Sequence, residues 1–208
     1  MLAGFDVVLD DRDATISDQA GLAAEYRPFP SLRVGAEIEK RWLSHQETRG
    51  LETVTDDQKE LYGLGYAYWL PFPRLAVTLA AEVDRYRRHW RDTDQGPVRV
   101  DTLNAPLSLR YFDPSGLFAG VTARLLAQHV ASKNDEDLQQ SGSEVNPLVD
   151  AEVGYRLAGG GATATLSVTN IFDQDVRYQD QSFRTAGNDL PPQFLPVRTI
   201  LGSITLSF

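Results

Sequence analysis

The chain has 208 residues, enough for one domain with a sizeable core and too few for two comfortable ones. Hydrophobic residues make up 42% and charged residues 24%, which excludes a disordered chain, and no apolar run approaches the ~20 residues of a transmembrane helix. A formal charge of −9 argues against nucleic acid as a partner, and the lack of cysteine removes disulfide scaffolds, zinc–thiolate sites and cysteine nucleophiles.

Residues 1–6 have no basic stretch ahead of an apolar one, and Asp6 interrupts the run, so no targeting segment is expected at Met1. An exported chain would have lost its signal or would begin inside a longer one. Further along, residues of period two take over. Leu32, Val34, Ala36 and Ile38 alternate with Arg33, Gly35, Glu37 and Glu39; Leu75, Val77, Leu79, Ala81 and Val83 alternate with Thr78, Glu82 and Asp84. The same holds for Leu103 to Tyr111, Leu117 to Ala127, Val149 to Tyr155 and Ile200 to Phe208. Successive side chains of a strand point to opposite faces, so alternation predicts strands, near 2–9, 19–27, 32–44, 59–70, 75–90, 101–112, 117–131, 145–157, 162–172 and 197–208. Tight turns at Pro28–Ser31, Pro71–Arg74, Asp113–Gly116 and Ala158–Gly161 recur every 43, 42 and 45 residues, with longer polar stretches between them, so the repeating unit is a hairpin.

The expected fold is therefore all-β: one antiparallel up-and-down transmembrane β-barrel domain over residues 1–208, of about ten strands, or the C-terminal ten strands of a larger barrel. Three features favour lipid over water on the apolar face. The apolar sets run 9–11 residues, the length of a tilted strand crossing a bilayer. Small Ala and Gly are as common in them as Leu and Val, which would leave voids in a packed soluble core. Aromatic residues near the turns (Tyr26, Tyr68, Phe72, Tyr111) and toward the polar stretches (Trp42, Tyr62, Tyr86, Trp90) suggest two interfacial belts. An even strand count would leave Met1 and Phe208 both periplasmic.

The segment Leu166 to Thr169, followed by Asn170, Ile171, Phe172, Asp173 and then Tyr178, resembles the penultimate-strand signature of TonB-dependent outer-membrane receptors. Pro196 and Arg198 lead into a last alternating strand ending in Phe208, and Val197 stands where that family usually has glycine. The resemblance covers about the last 45 residues. It implies an outer-membrane location, solute passage or receptor-mediated uptake, recognition of Phe208 by the barrel-assembly machinery, and an energy-coupling periplasmic partner.

On the polar face, Glu37, Glu39, Glu82, Asp84, Arg88, Arg110, Arg124, Asp150, Glu152 and Arg156 are expected to line a lumen, where mixed charges either pair and fill it or select solutes. Lys40, Arg85, Arg87 and His89 share the parity of the apolar sets but lie beyond them, where a contact with the phosphates of lipopolysaccharide is expected. Catalysis, a cofactor and a metal are not expected. His45, His89 and His129 have no partner at catalytic or ligand spacing, Asn134 to Asp137 is a solvated acidic stretch before it is a calcium site, and no helix pattern follows Gly159–Gly161. Two other readings stay open: a soluble antiparallel barrel binding an apolar ligand, and a membrane-embedded hydrolase using His129 or His45.

Overall fold

The computed structural model describes residues 15–49, 52–89, 96–133, 139–157, 159, 161–174 and 198–206. They form one antiparallel sheet of nine strands and no helix. The strands are β1 (Thr15–Phe29), β2 (Leu32–Arg49), β3 (Glu52–Phe72), β4 (Leu75–His89), β5 (Gly96–Phe112), β6 (Leu117–Lys133), β7 (Gln139–Arg156), β8 (Ala162–Thr169) and β9 (Thr199–Leu206). Their spatial order is their chain order, so each strand pairs only with its sequence neighbours.

Nine strands stand where ten were expected, and the expected strand at 2–9 lies outside the described residues. Several strands are also longer than their alternation. The polar stretch Arg49 to Asp57, read as a loop, is mostly strand, because Arg49 pairs Glu52 and the ladder continues to Leu32 and Trp69. Cross-strand hydrogen bonds satisfy the backbone whatever the side chains are, so pairing outruns the apolar pattern. β8 instead stops early, at Thr169, where Asn170 adopts φ 49° and turns the chain out of the sheet. Among the described residues β1 and β9 do not pair, so the sheet is open and not a closed barrel.

Register fixes the two faces. One row runs Ala36–Gly65–Ala81 across β2, β3 and β4, and the next, on the opposite face, runs Glu37–Leu64–Glu82–Asn104. A flat single layer would expose both faces equally. Here the face of Glu37 and Glu82 is the sheltered one and holds nearly all the buried side chains: Leu43, Tyr86, Val100, Leu126 and Leu148, with Arg41, Gln58 and Gln128. The sheet therefore curls around this face. The opposite, outer face leaves Leu22, Ile38, Leu79, Leu107, Val121, Leu166 and Ile204 exposed, Ile204 by 75%.

Candidate functional site

The sheltered face takes every second residue of each strand, and the charged residues of the middle and turn-end parts of the strands fall on it. All ten residues expected to line a lumen lie here: Glu37 and Glu39 on β2, Glu82, Asp84 and Arg88 on β4, Arg110 on β5, Arg124 on β6, and Asp150, Glu152 and Arg156 on β7. They fall at three levels.

Near the far end of the strands, away from the short turns, ions pair in partial burial. Arg41 meets its cross-strand neighbour Glu60 at 2.7 Å, and Arg88 meets Asp56 at 2.7 Å through one nitrogen and 3.0 Å through another. Gln58 Nε2 donates to Asp56 at 3.0 Å. This fork-on-carboxylate geometry is the strong form of the ion pair. Arg41 is on the polar face by its parity, as expected from sequence, whereas Asp56, Gln58 and Glu60 were not expected there; cross-strand register, which one strand's sequence does not carry, brings them together.

At mid-height the face turns acidic. Glu39–Tyr62–Asp84–Thr102–Gln128–Glu144 and Glu37–Leu64–Glu82–Asn104 are successive rows. Asn104 Nδ2 donates to Glu82 at 3.3 Å and Gln128 Nε2 to Thr102 at 3.0 Å. Nearer the turns, Arg110 on β5 pairs with Glu152 on β7 across the intervening β6. Gly120 makes that crossing possible: a Cβ there would sit 2.8 Å from Glu152 Oε1. Tyr66 on β3 crosses β2 in the same way, over Gly35, and donates to Glu25 on β1 at 2.9 Å.

The outer face is uncharged from Leu103 to Tyr111 on β5, eight residue steps or roughly 27 Å along the strand at ~3.4 Å each. Equivalent uncharged stretches lie beside it on β4 (Leu75 to Val83) and β6 (Leu117 to Ala127). Outer-face aromatics collect at the turn end: Tyr26, Phe29, Trp69, Phe72, Tyr111 and Tyr155, all exposed. The expected belts need correction here. Tyr62, Tyr68 and Tyr86 lie on the sheltered face, Tyr86 only 2% exposed and Tyr68 against Tyr66 at 5.2 Å between ring centroids. Of the belt expected at the far end only Trp42 lies on the outer face among the described residues, under Lys40 Nζ at 4.9 Å from the ring. Trp90 and Phe208 lie outside the described residues, as do Asp6, Pro196, Val197 and residues 134–138.

Among the described residues, charges on the outer face of the strands are confined to the far end. Lys40, Leu61, Arg85, Asp101, His129 and Ser143 form one row, and Trp42, Lys59, Arg87 and Arg99 the next, with His89 beside Asp57 beyond it. The residue between Lys40 and Arg85 is thus Leu61, whereas its neighbour Tyr62 faces the other way. Arg87 and Arg99 both reach Asp101, at 2.7 and 2.5 Å. His129 Nδ1 lies 2.8 Å from Ser143 Oγ, and on the sheltered face His45 Nδ1 lies 3.3 Å from Thr15 Oγ1. Among the described residues no group of three His, Asp or Glu is placed to hold a metal ion.

No protein-family model, curated protein or solved structure matches the chain.

Proposed function

We propose that the sheet is part of the wall of a bacterial outer-membrane β-barrel, lipid on its apolar face and the lumen on its polar one, and that it serves passage or uptake of a solute. The observation that carries this reading is the continuous apolar band left exposed on the outer face, from Leu75 to Val83, Leu103 to Tyr111 and Leu117 to Ala127, while the charged residues at the same heights lie on the other face. An exposed apolar surface this continuous is too costly in water and suits a bilayer core, where the outer-membrane class has an apolar band ~25 Å tall. Closure would come from further pairing at the free edges of β1 and β9. Recognition of Phe208 by the barrel-assembly machinery and an energy-coupling periplasmic partner follow only from the resemblance of the C-terminal segment to TonB-dependent receptors.

The acidic mid-height rows make the lumen cation-preferring, since a ring of one sign raises the local concentration of the other. In a planar bilayer the protein should conduct cations in preference to anions, and Glu37→Gln with Glu82→Gln should lower that preference. A protein that stays fully soluble with native sheet content in the absence of detergent would instead be a soluble barrel.

The contact of His129 with Ser143 favours a second reading, a hydrolase at the membrane rim. Its carboxylate would be Asp101, next in the row, but Arg87 and Arg99 already hold that group. A fluorophosphonate probe should label Ser143 in the wild type and lose the label in Ser143→Ala and His129→Ala; an unlabelled wild type removes this reading.

A further inference from the structure

The outer face has two unlike ends. At the turn end it carries aromatic rings and, on the described strands, no charge; at the far end the described side chains include the cations Lys40, Lys59, Arg85, Arg87 and Arg99 and the carboxylates Asp18, Asp57 and Asp101. These cations belong to a chain whose net charge is −9.

The cations are also crowded. Lys59, Arg87 and Arg99 are directly opposite one another on β3, β4 and β5, with strands ~4.8 Å apart. Like charges in direct cross-strand register are destabilising unless something relieves them. Asp101 relieves Arg87 and Arg99, holding both. Lys59 and Arg85, diagonal neighbours, have no anionic partner among the described residues, and Lys40 lies two strand spacings, ~10 Å, from Arg85. Immediately below them on the same face begins the uncharged band, with Leu61, Val83 and Ile38.

We infer that Lys40, Lys59 and Arg85 form a site for the phosphates of an anionic lipid whose acyl chains lie along the band beneath. The inference rests on the lipid-facing wall proposed above. It differs from the set expected by sequence: Lys59 joins it, Arg87 serves Asp101, and His89 stands further out beside Asp57. The ligand is a lipid and not a free anion, because the cations border an exposed apolar surface that a bare phosphate would leave uncovered. The two ends also orient the wall, with the far end in the leaflet richer in phosphate, which in an outer membrane is the lipopolysaccharide side.

The test is retention of diphosphoryl lipid A by the full chain, folded in detergent, in a native mass measurement, with phosphatidylcholine and inorganic phosphate as comparison probes. A basic side chain near an anionic surface contributes about a fivefold factor, so Lys59→Gln with Arg85→Gln should weaken lipid A retention roughly 25-fold. Phosphatidylcholine retention should not change, and Arg74→Gln, at the turn end, should be silent. Lys59→Arg should keep retention. An equal loss in Arg74→Gln, no loss in the double variant, or displacement of lipid A by millimolar inorganic phosphate overturns the site while leaving the wall. Failure of the wild type to enter phosphatidylcholine vesicles overturns the wall itself.

Discussion

Tyr66 lies over Gly35, with ring atoms 2.3–2.7 Å from where a Cβ would stand, and so reaches Glu25 two strands away. A side chain at position 35 must push a rigid ring aside, not merely deflect a flexible tip. Gly35→Ala should cost ~1–3 kcal/mol, the range of an overpacked site. Gly65→Ala, on the outer face with nothing within 4 Å of its would-be Cβ, should leave stability unchanged or slightly raised by the lower chain entropy of the unfolded state. Chemical denaturation of the two variants checks the contrast. In the turn between β5 and β6, hydrogen bonds from the Ser115 hydroxyl and backbone N–H, the latter at 2.9 Å, hold Asp113 below its ordinary carboxylate value of 3.8. A carboxyl lowered by folding stabilises the folded state above its unfolded value and loses that contribution as pH falls through the folded one. The stability gap between wild type and Asp113→Ala should therefore be constant above about pH 5 and close as pH drops below the unfolded value, by thermal unfolding across pH.

Between β8 and β9 the chain leaves and re-enters the sheet through a clasp. Asn170, 5% exposed, donates its Nδ2 to the Gln174 carbonyl at 2.8 Å and accepts the Gln174 N–H at 2.9 Å, while its own N–H donates to Asp150 at 2.8 Å. Asp173, also at positive φ, accepts from the Arg198 backbone at 3.0 Å just before β9 begins. Asn170→Ala keeps the backbone bond to Asp150 but removes both side-chain bonds to Gln174 and the tolerance of asparagine for a left-handed φ, and should cost ~1–3 kcal/mol. Asp173→Ala should speed amide exchange in Thr199–Leu206 while β4 and β5 keep their protection; equal acceleration everywhere would mean that the clasp does not act on β9 in particular. This clasp coincides with the segment that carries the family resemblance, and its residue types were visible in the sequence although their geometry was not. What was legible in general was parity. Leu75 to Val83 and Leu117 to Ala127 announce both strand and face, because period two is a property of a single strand. What was not legible depended on a neighbour: the end of β3, the ion pairs of Arg41 and Arg88, and the passage of Arg110 over Gly120. Tyr62 and Tyr68 were misplaced because β3 is apolar or glycine on both parities between Leu61 and Trp69, whereas Tyr86 could have been assigned by counting from Val83.

At the scale of the molecule, the described strands form an open nine-strand meander with β1 and β9 at its edges. β1 and β9 run in the same direction, from the far end toward the turns, so Leu206 emerges at the turn end. If the turns are periplasmic, protease added to intact cells should cut near Arg49 or Lys133 and spare Arg74; cleavage at Arg74 alone would invert the wall. The lipid-facing assignment itself can be tested most directly because the chain has no cysteine, so an introduced one reports on its own position. Leu107→Cys, Ser108→Cys, Leu109→Cys and Arg110→Cys sample both faces of β5 at one height. In vesicles, the variants at 107 and 109 should resist a water-soluble maleimide and be quenched by a lipid-dissolved agent when fluorescently labelled, with 108 and 110 behaving oppositely. Free reaction at 107 and 109, with no response to the lipid quencher, would contradict an outer face turned to lipid.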